Sequence, residues 1–139
     1  MFLGAGKEQC EAIEIALDLG LKVIAVDGNP EALGLKIAHI GINADIKDTQ
    51  AMIDIGKKYK IDGVVAHAVE IPQIVAIVAR ALSLPGISPE VAERATNKLK
   101  RIKCLSKKNI PCAKFEIAET IEEAEKKADK IGFPVVFKP

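Results

Sequence analysis

Lys138 closes the apolar run PVVF, so a cation stands at the end of what reads as a buried strand. An ammonium there costs its desolvation unless it reaches solvent or an anion. Facing a phosphate, it would act as a point charge. At a sheet edge it would simply reach water and need no ligand. A second group of cations, Lys98, Lys100, Arg101, Lys103, Lys107 and Lys108, shares one short stretch with Leu99, Ile102 and Leu105 as its apolar stripe. Most of such a set is an ordinary solvated helix face. Six cations on one element also attract phosphate.

Near the other end, GAGKEQ at residues 4–9 follows a short apolar segment and opens a helical pattern. Free backbone N–H groups and the helix dipole favour an anion at such a turn. Asp27 ends the next apolar run, where a dinucleotide-binding fold places its ribose-binding acid. Gln9 stands where the third glycine of that fingerprint would allow close helix–strand packing. Gly4 and Gly6 are equally compatible with a tight turn in any doubly wound sheet. His67 and Glu70 lie just past another apolar run. Either could bind a small polar ligand, or serve as a hydrogen-bonded structural histidine and a helix-start acid.

The elements that must position these groups follow from periodicity. A helix with Cys10, Ile13, Ala16 and Leu17 on one face stops at Gly20. LKVIAV reads as a buried strand closed by a DGNP turn, followed by a short helix over Ala32 to Lys36 and a weak strand, HIGI. Asp48 caps a helix carrying Met52, Ile55 and Tyr59; GVVAHA is a fourth strand; Ile71 to Leu82 is a well-covered helix. Alternating strands and helices with continuous apolar strands predict a doubly wound parallel α/β sheet. The first strand is clipped, with three residues before the glycine turn. Such folds bind ligands outside the carboxyl ends of their strands, so Gly4 to Gln9, Asp27 and His67 to Glu70 should share one rim.

Beyond LSLPGIS the pattern changes. Ser88 caps a helix with Pro89 at its first position, and a second helix begins near Thr96. AKFEIA reads as a strand, Thr120 and Glu123 form a capping box for a helix ending at Gly132, and PVVFK reads as a final strand. This divides the chain into residues 1–90 and 91–139.

Composition narrows the function classes. The net charge of +1 argues for no nucleic-acid or membrane partner, and 4% aromatic residues leave little to stack bases. Three cysteines, Cys10, Cys104 and Cys112, match no zinc spacing and read as free thiols of a cytoplasmic protein. No secretory signal opens the chain and no apolar run reaches membrane-spanning length.

Three stretches together resemble the opening of ATP-grasp enzymes of the biotin carboxylase and carbamoyl phosphate synthase branch. FLGAGKEQCEAIEIALDLGLKVIAVDGNP is similar to that family's first strand, glycine turn, helix and second strand. LPGISPEVAERATNKLKRIKCLSKKNIPCAKF is similar to its junction into the ATP-binding part, and AEKKADKIGFPVVFKP to the helix and strand delivering a phosphate-binding lysine. The resemblance implies a Rossmann-like pre-ATP-grasp domain and the start of an α+β ATP-grasp domain. It implies ATP and Mg²⁺ as cofactors, with Lys98 and Lys138 as nucleotide contacts. It implies a carboxylate or bicarbonate substrate activated as an acyl phosphate, with Gly6, Glu8, Asp27 and Glu70 as weaker acceptor-site candidates.

The glycine-rich loop and acidic Mg²⁺ ligands of that family have no counterpart here, and Glu122, Glu123 and Glu125 lie on an ordinary helix face. The expectation is therefore an N-terminal portion, inactive alone, and either a homo-oligomer or a chain needing a partner that carries the missing half. The alternative is a non-catalytic Rossmann-like nucleotide- or dinucleotide-binding module using Gly4, Gly6 and Asp27.

Overall fold

A computed structural model describes residues 1–138. The chain divides into two compact units, one spanning Met1–Arg101 and the other beginning at Ile102.

The first unit is built on parallel strands β1 (Phe2–Leu3), β2 (Ile24–Asp27) and β3 (Ile40–Asn43), in the order β1-β2-β3. Leu3 pairs with Val26, and Val26 with Ile42. Helices α1 (Lys7–Asp18), α2 (Leu33–Ile37), α3 (Thr49–Tyr59), α4 (Pro72–Ala81) and α5 (Pro89–Thr96) follow in chain order, and α6 (Lys98–Lys107) begins here. Residues alternate faces along a strand, and both faces are covered. Leu3, Ile24 and Val26 join Met52 of α3 and Val78 of α4 in one buried cluster. Val23 and Ala25 join Ala5, Ala32 and the α1 residues Ile13 and Ala16 in the other. The doubly wound parallel sheet expected from the sequence is thus present.

Its fourth strand is not. GVVAHA supplies a single parallel bridge, Val65 to Phe2, with Leu3 N–H donating to Val65 O at 2.8 Å and Val65 N–H to Met1 O at 2.9 Å. A ladder is no longer than its shorter side, and β1 offers two residues. LKVIAV contributes a strand from Ile24 only, because Leu21 and Lys22 are exposed.

Helix ends follow the local signals. Asp48 accepts from Ala51 N–H at 3.0 Å and Ser88 from Val91 N–H at 3.3 Å, each satisfying an orphan first-turn donor. Asn97, extended, separates α5 from α6 and accepts from Lys100 N–H at 2.9 Å.

The second unit contains the rest of α6 and α7 (Ile121–Ile131). Thr120 accepts from Glu123 N–H at 3.2 Å, as a capping box requires. The reciprocal arm differs: the Glu123 carboxylate accepts from Glu119 N–H. AKFEIA and PVVFK form no strand among the described residues. A two-stranded pairing is marginal in water without further strands or a packed face. The 113–118 stretch is instead held by side chains of α7, with Lys127 donating to Ile117 O at 2.5 Å and Lys130 to Glu116 at 2.7 Å.

Candidate functional site

The strand order places a topological switch between β1 and the Val65 bridge. From β1 the chain runs to β2 and β3 on one side, then returns to pair with β1 on the other. Ligand crevices of open α/β sheets lie at such points, beyond the carboxyl ends of the strands. Two loops flank this one, Gly4–Gly6 after β1 and Ala66–Glu70 after Val65.

The first loop is tightly fixed. Gly4 has φ +98°, which side-chain-bearing residues rarely adopt, and its N–H donates to Val26 O at 2.8 Å. Ala5 N–H donates to Asp27 Oδ2 at 2.7 Å, while Asp27 Oδ1 accepts from Asn29 N–H at 2.8 Å. The Asp27 carboxylate therefore joins the loop to the end of β2, and both oxygens already serve backbone donors. Gly34 N–H donates to Ala5 O at 2.7 Å. A Cβ at Gly34 would lie 2.8 Å from that oxygen, so α2 reaches the loop because residue 34 has no side chain. Gly6 is the N-cap of α1 in extended conformation and supplies no side-chain cap. Glu8 follows in the first helical turn, exposed.

Gln9 joins the two loops. Its side chain is only 7% exposed, and its Nε2 donates to His67 O at 2.9 Å and Ala68 O at 3.4 Å. Ala68 itself sits at φ +51°. His67 thus contributes its carbonyl, while its side chain is exposed. Sequence reasoning treated Gln9 only as a departure from a glycine fingerprint and put Cys10 on the covered face of α1. The missed signal was spacing: Gln9, Ile13 and Ala16 lie four and three residues apart, one face of a helix. All three are buried, and Cys10 is half-buried with its thiol directed at Gly6 O. His39, assigned no role from sequence, accepts from Val23 N–H at 3.1 Å through Nδ1.

Glu70 is exposed and lines a cleft of about 410 Å³ with Lys47, Ile71, Pro72, Gln73, Ile74 and Thr96. Gln73 Nε2 lies 3.5 Å from Thr96 Oγ1 across this cleft. Lys47, Gln73 and Thr96 were not singled out in the sequence, because polar residues scattered over a turn and two helices carry no periodic signal. No shared contact joins Glu8 with Glu70.

The two candidate nucleotide lysines lie in different units. Lys98, the first residue of α6, is exposed and makes no ion pair among the described residues. Two of its basic neighbours are engaged locally: Lys100 pairs with Glu93, and Arg101 donates to Ala95 O at 3.2 Å. Lys138 is exposed, outside any helix or strand, and likewise unpaired among the described residues. No group of three His, Cys, Asp or Glu side chains among the described residues could hold a metal ion. No helix among them is long and apolar enough to cross a membrane.

No protein-family model matches the chain. A formate-dependent phosphoribosylglycinamide formyltransferase of Methanocaldococcus jannaschii is 30% identical over 141 residues, covering 100% of this chain and 36% of that protein. The structure of phosphoribosylglycinamide synthetase from Anaerococcus prevotii superposes with a TM-score of 0.78 at 23% identity, over 96% of this chain and 34% of that one. N5-carboxyaminoimidazole synthetase from Staphylococcus aureus, solved with ADP, gives 0.73 at 18% identity, over 92% and 34%. The chain spans about a third of the length of the proteins it matches.

Proposed function

We propose that this chain, whose homologues are ATP-grasp enzymes, supplies the acceptor-side rim and two phosphate-facing lysines of an ATP-dependent enzyme that activates a carboxylate as an acyl phosphate. The observation that carries this reading is the 30% identity to a formate-dependent formyltransferase, which extends over the entire chain. Among the chemistries the sequence left open, that likeness favours formate as the carboxylate and a phosphoribosyl amine as the acceptor. It favours them over the biotin carboxylase or carbamoyl phosphate synthase reactions. In such a reaction a carboxylate oxygen bonds to the γ-phosphorus as ADP leaves. The acceptor nitrogen then bonds to the activated carbonyl carbon, losing a proton as phosphate departs.

The roles of this chain's residues follow from their chemistry. The exposed ammonium groups of Lys98 and Lys138 suit the phosphate oxygens of ATP, which gain negative charge as the phosphoryl group moves. Gly6 and Glu8 follow β1 and Glu70 ends the loop after Val65; at the acceptor site the two carboxylates would accept hydrogen bonds from an amine or hydroxyl. Asp27 would act through the loop it fixes. Mg²⁺ would lower the charge on the phosphates when bound, but no residues of this chain are assigned to it.

ATP titrated calorimetrically against the protein tests the nucleotide half. Lys98→Ala and Lys138→Ala should each weaken ATP binding about tenfold, as expected for losing one charge-assisted contact. Unchanged affinity in both variants would remove these lysines from the ATP site.

A further inference from the structure

We infer that Gln9 is a positioning residue, whose side-chain amide sets the spacing between the Gly4–Gly6 loop and the Ala66–Glu70 loop at the topological switch point. The consequence for substrate rests on the acceptor-site reading above; the tie itself does not. Gln9 is the one buried polar side chain among the described residues. A buried amide is retained at a cost unless its hydrogen-bonding groups are met, and here Nε2 donates to carbonyls of a loop 58 and 59 residues away, at 2.9 and 3.4 Å. Two acceptors around Nε2 determine which way the amide faces. The oxygen is then directed at the first loop, and a Cβ on Gly6 would lie 3.0 Å from Gln9 Oε1. A Cβ on Gly4 would meet Gln9 Cγ at 3.7 Å and Val69 Cγ1 at 3.5 Å, so both loops and the amide are packed in mutual contact.

The tie is needed because the sheet does little here. Past Val65 no ladder hydrogen bond holds the second loop to β1, and the loop carries a residue at positive φ. Glu70 lies two residues beyond the carbonyl of Ala68 that Gln9 holds, and Glu8 is the neighbour of Gln9 on α1. Releasing the amide would therefore free one carboxylate relative to the other without touching either.

Gln9→Met tests this, since it preserves length and approximate volume and deletes the amide. Amide hydrogen exchange should accelerate about tenfold at Ile71 and Val75, the hydrogen-bonded amides where this loop enters α4, the scale of one or two lost hydrogen bonds, and change less than twofold at Ala25 and Val26. Calorimetry with phosphoribosylglycinamide as probe should show about tenfold weaker binding, with ATP affinity unchanged. A residue that merely filled the core would loosen loop and sheet together. Should Gln9→Met fail to fold, Gly6→Ala crowds Oε1 from the surface at an ordinary backbone angle and should loosen the same two amides. Wild-type exchange at Ile71 and Val75 in the folded variants would overturn the tie. A loosened loop with undiminished probe binding would overturn its bearing on substrate. If the unmodified protein binds no probe at all, the acceptor reading fails, and the exchange rates alone decide on the tie.

Discussion

The two units of this chain differ in how they use backbone hydrogen bonds, and the difference explains which sequence signals became structure. The first unit places three strands beside one another and covers both faces, so Leu3, Ala25 and Val26 are wholly buried. In the second, AKFEIA and PVVFK also read as strands, yet Val136 and Phe137 are 80% and 68% exposed. Helices formed equally well in both. A helix closes its hydrogen bonds within its own segment, whereas a strand acquires them only from a neighbour.

The largest test of this contrast compares two apolar truncations. Leu3→Ala should cost the first unit about 2–5 kcal/mol, as expected for a buried leucine. Phe137→Ala should change stability by less than about 0.5 kcal/mol, as at an exposed position. Denaturant titration followed by circular dichroism measures both. Comparable losses would show that the second unit has a core of its own around Phe137.

Gly34→Ala asks whether close packing at the rim is as strict as in the sheet. Its Cβ would meet Ala5 O at 2.8 Å and Ile13 Cδ1 at 2.7 Å, and only the latter can move aside. Overpacking of this kind should cost about 1–3 kcal/mol, measurable in the same titration. No loss would mean that α2 stands off the glycine loop in solution.

Caps should erase the contrast. Asp48→Ala in the first unit and Thr120→Ala in the second each remove one acceptor of a first-turn N–H, and each should cost its helix about 1 kcal/mol. Amide exchange in the first turns of α3 and α7 would show it. A much larger effect of Thr120→Ala would reveal tertiary dependence of α7.

The smallest effect is with pH. The hydrogen bond from Lys130, and then its charge, hold Glu116 below the ordinary value of 4.5. Glu123 is lowered first by the Glu119 N–H and then by Lys127. A carboxyl lowered in the folded state adds stability above its unfolded value and loses it as pH falls through the folded one. The ellipticity of α7 should therefore decline slightly as pH drops below about 4.5. Both carboxylates reach solvent, so the change is small and screened by salt. Lys130→Met should remove part of it; an unaltered profile would discount the Lys130–Glu116 pair.

Much of the architecture was legible in the residues. The caps at Asp48, Ser88 and Thr120, the stop at Gly20, and the alternation of apolar runs with helical periods each report an interaction within a few positions of chain. The likeness to ATP-grasp enzymes rested on stretches of that kind. What tertiary structure decided were relations across distance. Asp27 reads only as the acid that ends an apolar run until Ala5 and Asn29 are seen donating to its two oxygens. Gln9 reads as a missing glycine until the carbonyls of His67 and Ala68 are brought to its amide. Lys47, Glu70 and Thr96 come from three separate stretches of chain to line one cleft. Local propensity acts through neighbours in sequence, so the sequence by itself determined the helices and their ends. The partner of a side chain or a strand edge is chosen by packing, so the fold alone decided the rim and which apolar runs became a sheet.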